Sequence, residues 1–421
     1  MEKTMREPVI TRAEDLIYGR APHPVRCGLG PLEIGGGTVV PEVNYTLPTM
    51  EISEATWPKV IEHYREMISH VLARAVALRM PGLVLEFEHL PPMTERPQWG
   101  AEITRLTRDL MEKTHSAHGL PVALRVTPVD LRDATRPPRL RTGEELPVML
   151  ESFRLCAEAG ADILSIESVG GKEINDAAMV EGDLIGTVAG TAVLGARDVA
   201  FLWDRIAEIA RETGTIAGGD TACGFANTAM VLADRGMLPG VFASVVRALG
   251  AARTAAAHEH GAVGPTKDCA YEGPVLKALF GVPISMEGKS AACAHLSHVG
   301  NVAAACADLW SNESVQNVRL LAGSGPEVFA EILAYDCRLM NEATARGEAA
   351  RLQEWLVASD ATLNPQAFII TPEASLALAK AIAAEGGYLA RARAVAQCAI
   401  DLLRTASDDG TLSLEPRERV W

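Results

Sequence analysis

A chain of 421 residues, 48% of them hydrophobic, can bury one large core or two ordinary ones. Its 54 acidic against 39 basic residues leave a formal charge of −15, which repels phosphate backbones and argues against nucleic acid as a partner. The N-terminal "MEKTMREPVITRAEDLIYG" lacks the apolar stretch of a signal peptide, and no apolar run nears the roughly 18 residues that span a bilayer, so a soluble cytoplasmic protein is expected.

In chain order, "SEATWPKVIEHYREMISHVLARAVALR" (53–79) predicts an amphipathic helix with a serine start signal. After "MPG", "LVLEFEHL" (83–90) predicts a short apolar strand ending in acids. Further strands are expected at 121–128, 161–168, 214–220, 260–266, 282–288, 317–323 and 366–371. Helical stretches separate most of them, such as "LPVMLESFRLCAEAG" (146–160) and "GVFASVVRALGAARTAAAHEHG" (240–261). Alternating strands and helices imply a parallel sheet, and eight such units fit a closed barrel better than an open sheet. The expected fold is α/β, a (β/α)8 TIM barrel with N-terminal and C-terminal helical extensions. Residues 1–80 are expected as a leading segment and helix packed on the barrel, 81–373 as the catalytic barrel, and 374–421 as closing helices and a polar tail.

The eight cysteines, at 27, 156, 223, 269, 293, 306, 337 and 398, are scattered and form no CxxC pair. A large cytosolic protein keeps such thiols reduced. Cys306, Cys337 and Cys398 sit in apolar helical patterns and read as core residues. Nucleotide motifs are absent: "PISMEGKS" has Pro283 where a phosphate-binding loop needs glycine, and "GLGPLEIGGG" has Glu33 in place of the third glycine of the dinucleotide fingerprint.

In a barrel of this kind chemistry belongs at the C-terminal ends of the strands. Glu167, Cys223 and Cys269 each fall at such an end, 56 and 46 residues apart, on three consecutive strands. Two thiolates and a carboxylate suit Zn²⁺, and three protein ligands leave a position open, the mark of a catalytic zinc. The same spacing is also compatible with buried core cysteines. His295 and His298, with Cys293, form a competing metal candidate of poorer spacing. Asp220, Lys267, Asp268 and Glu287 are candidates for tuning charge near the mouth, or ordinary ion pairs. "WSNESVQN" (310–317) has a catalytic composition but precedes the strand expected at 317, which puts it on the opposite, stability face.

At these residues a resemblance enters. "LVLEFEHLPPMT", "LSIESVGGKE", "GGDTACGFANTAMVLADRG", "GAVGPTKDCAYEGPVLKALFGVPISMEGKSAACAHLSHVGN" and "ADLWSNESVQNVRLL" resemble the zinc-dependent methanol–corrinoid methyltransferases of methanogens and acetogens, from about residue 20 to residue 345. The resemblance implies a (β/α)8 barrel with one zinc per chain, held by Glu167, Cys223 and Cys269. It implies methyl transfer from methanol to the Co(I) of a corrinoid. No DxHxxG-type corrinoid motif occurs in this chain, so the corrinoid is expected on a separate protein that docks over the mouth. Self-association is also implied. Glu86, Glu88, Asp220 and His295 are the candidates for the proton donor. The chain departs from the family pattern at Thr266, Ala270 and His298, beside the expected mouth, which keeps a methoxylated aromatic or another small methyl donor as an alternative. Two other readings are a zinc enzyme that activates a thiol acceptor, disfavoured by Glu167 in place of a third sulfur, and a non-catalytic barrel that only docks a corrinoid protein. Finally, "RDATRPPRLRTG" (132–143) carries Arg132, Arg136, Arg139 and Arg141 against Asp133 alone, and is expected on the mouth face as a solvated loop or as a steering surface for an acidic carrier.

Overall fold

Two antiparallel strands, β1 (Arg20–Cys27) and β2 (Leu32–Gly36), precede the barrel. The eight barrel strands are β3 (Pro41–Tyr45), β4 (Leu83–Glu88), β5 (Val122–Thr127), β6 (Ile163–Ile166), β7 (Ile216–Asp220), β8 (Thr266–Asp268), β9 (Ile284–Glu287) and β10 (Leu309–Glu313). All pair in parallel in the order β7-β6-β5-β4-β3-β10-β9-β8. The seam between β7 and β8 is closed by Val263 N to Ala217 O (2.8 Å) and Gly264 N to Gly218 O (2.9 Å). The molecule is thus a (β/α)8 barrel. The computed structural model describes residues 7–30, 32–45, 47, 50–287, 298–313, 319–320 and 323–421.

Several expected strands shift, for physical reasons. The first barrel strand is "PEVNY" and the last is "LWSNE", neither of which reads as an apolar run. In β3 the buried inward residues are Glu42 and Asn44, so the alternation carries polarity on the side that faces the lumen. Residues 1–80 therefore contribute a barrel strand and are not only an extension. The segment expected as a strand at 317–323 instead contains a small antiparallel pair outside the barrel, β11 (Arg319–Leu320) and β12 (Gly323–Ser324). The segment at 366–371 is helical: Asn364 accepts from Gln366 N at 2.7 Å and Pro365 opens a short helix, Pro365–Phe368. "WSNESVQN" begins inside β10, which runs parallel to the other strands. Its strand end lies on the catalytic face, not on the stability face.

The N-terminal end of the barrel is plugged by the β1–β2 hairpin. Leu32, Ile34 and Val40 pack there against Val84, Ala123, Ile163 and Leu309. Gly28 makes the approach feasible, since a Cβ at this residue (φ +72°) would stand 2.2 Å from Val122 O. Helices cover the outside. Helix Gly240–Glu259 is buried at every position from Phe242 to His258 and packs beneath the closing helix Tyr388–Asp408 and the short helix Pro365–Phe368. The polar tail is not loose surface: Glu418 accepts from Gly240 N (3.0 Å) and Val241 N (2.9 Å), capping that helix. The continuous helical stretch Leu184–Thr213 is long and apolar enough by composition to cross a membrane, but half of its most apolar window is buried inside the molecule.

Candidate metal centre

Above its apolar plug, the barrel interior is charged rather than filled with branched aliphatics. Strand alternation sends Glu42 and Asn44 of β3, Glu86 and Glu88 of β4, and Arg125 and Thr127 of β5 inward together. Arg125 donates to both oxygens of Glu42 (2.7 and 3.2 Å), to Ser165 Oγ (2.6 Å) and to Pro265 O (2.9 Å). Ser285 Oγ donates to Glu42 Oε2 at 2.8 Å. One layer higher, Lys267 Nζ lies 2.8 Å from Glu86 Oε1, 3.3 Å from Glu88 Oε2 and 3.2 Å from Glu167 Oε1. Thr127 Oγ1 donates to Glu86 Oε1 and Asn44 Nδ2 to Glu88 Oε2.

The mouth is the top layer. Glu167 is the first residue past β6, Cys269 the first past β8, and Cys223 opens helix Cys223–Asp234 after β7. One ligand atom from each of the three lies within 4.8 Å of the others. Cys269 Sγ stands 3.6 Å from Glu167 Oε1. A tetrahedral zinc with Zn–S of ~2.3 Å and Zn–O of ~2.0 Å sets such an edge at about 3.5 Å, so the donor set fits the ion in both chemistry and span. A helix N-terminus favours thiolate at Cys223, and Asn227, one turn on, donates to its Sγ at 3.1 Å. The hydrogen bond with Cys223 and burial push the Cys269 thiol well up, with Lys267 opposing them. Cys269 therefore holds its proton until a cation displaces it.

The expected proton donors separate here. Burial alone would raise the Glu86 carboxyl, but Lys267 and Arg125 outweigh it and hold it below its usual value. Glu88 is different: burial pushes it up to about 7, Lys267 only partly opposes this, and the charges of Glu167 and Glu86 add to the rise. Asp220 does not face the mouth as expected. Its side chain accepts from Ser168 N (3.1 Å), Ser168 Oγ (2.7 Å), Trp203 Nε1 (2.9 Å), Thr221 N (2.9 Å) and Arg253 (3.4 Å), so it braces the ligand loops and has no role left as a donor. Asp268 likewise turns away and accepts from the backbone of Glu272 and Gly273 at the start of helix Gly273–Phe280. His295 and Cys293 lie outside the described residues, as does the side chain of Glu287. Arg132 is buried between Asp130 (2.7 Å) and Asp198 (2.8 Å) rather than presented to a partner. The residues that pattern reading missed are Glu42, Asn44, Arg125, Asn227 and Arg253. An arginine in phase with Ala123 and Thr127 inside "VALRVT" was the available signal for a polar lumen.

A closed parallel barrel carrying two thiols and a carboxylate at its C-terminal mouth defines a barrel enzyme with a metal-type donor set. Comparison with known proteins narrows that class. The profile of the methanol–cobalamin methyltransferase B subunit matches residues 2–421, and the chain belongs to this family. It is 39% identical over 391 residues, 92% of this chain and 84% of the relative, to a methanol–corrinoid protein co-methyltransferase of Methanosarcina barkeri (strain Fusaro / DSM 804). It superposes with a TM-score of 0.95 and 37% identity on a chain in the crystal structure of the methanol:cobalamin methyltransferase complex MtaBC from Methanosarcina barkeri, covering 99% of this chain and 91% of that one.

Proposed function

We propose that this methyltransferase moves the methyl group of methanol to the Co(I) of a corrinoid held by a separate protein, with one zinc ion bound by Glu167, Cys223 and Cys269. The observation that carries this reading is the convergence of those three donors at the barrel mouth, in a chain of this family. Bound there, zinc supplies a Lewis acid for the alcohol oxygen, an effect worth several kcal/mol. The C–O bond breaks as carbon bonds to cobalt, and the departing oxygen needs a proton. Glu88 is the group best suited to hold one. Its Oε2 already accepts from Asn44 and Lys267, which leaves Oε1 to carry the proton. Glu86, held ionised by Lys267, keeps the lysine charged and fixed beside Glu167. The deciding experiment is methyl transfer to free Co(I) cobalamin, screened across methanol and methoxylated aromatics, with zinc assayed in parallel. Turnover of methoxylated aromatics but not of methanol would replace the donor; zinc-free turnover would remove the metal.

A pH dependence follows. With its carboxyl pushed up to about 7, Glu88 is protonated below that pH and loses its proton above it. kcat/KM should therefore fall as pH rises through about 7, and Glu88→Gln should flatten this limb. A limb that is unchanged in the variant assigns the proton elsewhere.

The carrier protein must cover the mouth, and the loop after β5 lies on that side. Arg136, Arg139 and Arg141 are exposed along it, beside exposed Arg197 at the start of helix Ala196–Thr213, with Arg136 and Arg139 only loosely paired to Asp133 (3.6 Å) and Glu145 (3.5 Å). Arg141 stacks on Phe201 at 4.7 Å and donates to Arg197 O, which holds it at the rim. Replacing Arg136, Arg139 and Arg141 with alanine should slow transfer to protein-bound corrinoid and weaken its salt dependence, while transfer to free cobalamin barely changes. Equal loss with both acceptors would make the loop part of the active site; no loss with either would leave it as solvated surface.

A further inference from the structure

Three metal ligands on three separate loops have no local structure in common, so something must fix their spacing. The contacts converge on one buried helix, Gly240–Glu259. Arg253, fully buried, donates to Ser168 O (2.5 Å) and Ser168 Oγ (2.6 Å), next to Glu167. The same guanidinium donates to Thr221 O (3.2 Å) and Asp220 Oδ1 (3.4 Å), just before Cys223, and lies 4.7 Å over the ring of Phe225, just after it. The next residue, Thr254, donates to Glu272 Oε1 (3.0 Å), and that oxygen also accepts from Ala222 N (2.7 Å). Glu272 N in turn donates to Asp268 Oδ1 (2.8 Å), beside Cys269. Two turns earlier, Arg247 donates to Ala270 O (2.9 Å), on the other side of Cys269. Every proposed ligand therefore has a chain neighbour held by this helix.

We infer that Arg253 is a positioning residue for the metal centre: it ties the Glu167 loop to the Cys223 loop and, with Thr254 and Arg247 of the same helix, sets the spacing of the three donors. The inference rests on the reading that Glu167, Cys223 and Cys269 hold zinc. The physical reason is preorganisation. A metal site that must gather loose loops loses affinity to the cost of ordering them, whereas one whose loops are already hydrogen-bonded in place does not. The helix is capped at its start by Glu418, while at its finish Glu259 pairs with Arg391 (2.8 Å), beyond every contact the helix makes to the ligand loops. Arg253 bridges two loops with one planar group; the ammonium of a lysine could not span the same four acceptors.

The test uses the whole chain and reads metal binding rather than turnover. Zinc affinity is measured by competition with a chromophoric chelator, and ligand geometry by the visible spectrum of the cobalt(II)-substituted protein. Arg253→Met should bind zinc roughly 10–100-fold more weakly, the usual range for losing an outer partner of a metal site, and should shift the cobalt(II) bands. Arg253→Lys should recover part of the affinity. Arg391→Met, which breaks a buried ion pair at the far end of the same helix, should lower the melting temperature and leave affinity and spectrum unchanged. A folded Arg253→Met protein with affinity within twofold of wild type and the same spectrum overturns the inference. So does an equal loss of affinity in Arg391→Met, which would make the effect one of general stability. If Arg253→Met does not fold, the near-isosteric Thr254→Val decides: a several-fold loss of affinity supports the inference, and no loss overturns it. Failure of the wild-type chain to bind zinc overturns the metal assignment and this inference with it.

Discussion

Changing either Cys223 or Cys269 to serine is expected to remove most zinc from the purified protein and nearly all methyl transfer from methanol to Co(I) cobalamin. A serine hydroxyl is nearly isosteric with the thiol, yet at neutral pH it is a poor ligand for an ion that favours thiolate. The loss should exceed the roughly 10–100-fold in affinity that follows from removing an outer partner. Both side chains are buried at the mouth, and among the described residues no third thiol joins the donor cluster. Cys398→Ser provides the comparison: that thiol is half-buried on helix Tyr388–Asp408, and the variant should keep full zinc and full turnover. The measurement is metal content by atomic emission beside initial rates with the free cobalamin acceptor. Full zinc and full turnover in either mouth variant would take the assignment of that residue away.

The largest loss of stability is expected from Arg125→Met. The guanidinium and the Glu42 carboxylate are both without solvent exposure, and Arg125 also holds Ser165 and the carbonyl of Pro265. Removing the arginine leaves a buried carboxylate whose one remaining partner among the described residues is the Ser285 hydroxyl, and breaking a buried pair in this way costs about 3–5 kcal/mol. Replacing both members by apolar residues of similar volume is often neutral, so the Glu42→Met/Arg125→Met double variant should recover a large part of the loss. Chemical denaturation of the two single variants, the double variant and the wild type measures the cycle. A single-variant loss under about 1 kcal/mol, or a double variant no more stable than Arg125→Met, would show that this pair does not carry the barrel centre.

What could be read from the chain alone was set by local rules. Apolar strands alternating with amphipathic helices specify a parallel barrel, because each strand and helix must bury its own apolar face whatever the rest does. β4 and β5, in "LVLEFEHL" and "PVALRVTP", were legible for that reason. So was the position of Glu167, Cys223 and Cys269 at strand ends, since the end of an apolar run is a local event, and the resemblance of the surrounding segments supplied their chemistry. β3 and β10 were not legible. Their inward positions carry Glu42, Asn44 and Ser311, and Glu42 and Asn44 are stable there because β5, β9 and β4 bring Arg125, Ser285 and Glu88 to the same lumen. That compensation exists between strands up to 243 residues apart in sequence, and no window of the chain contains it. The same holds for Asp220, which reads as a mouth acid from its place after "AGG". It is turned toward Ser168, Trp203 and Arg253 because those donors satisfy it away from the mouth. The chain's own pattern determined the barrel and the donor types. Tertiary structure decided which charges meet in its interior and how the ligand loops are held, because a buried charge is stable only where its partners arrive from elsewhere in the fold.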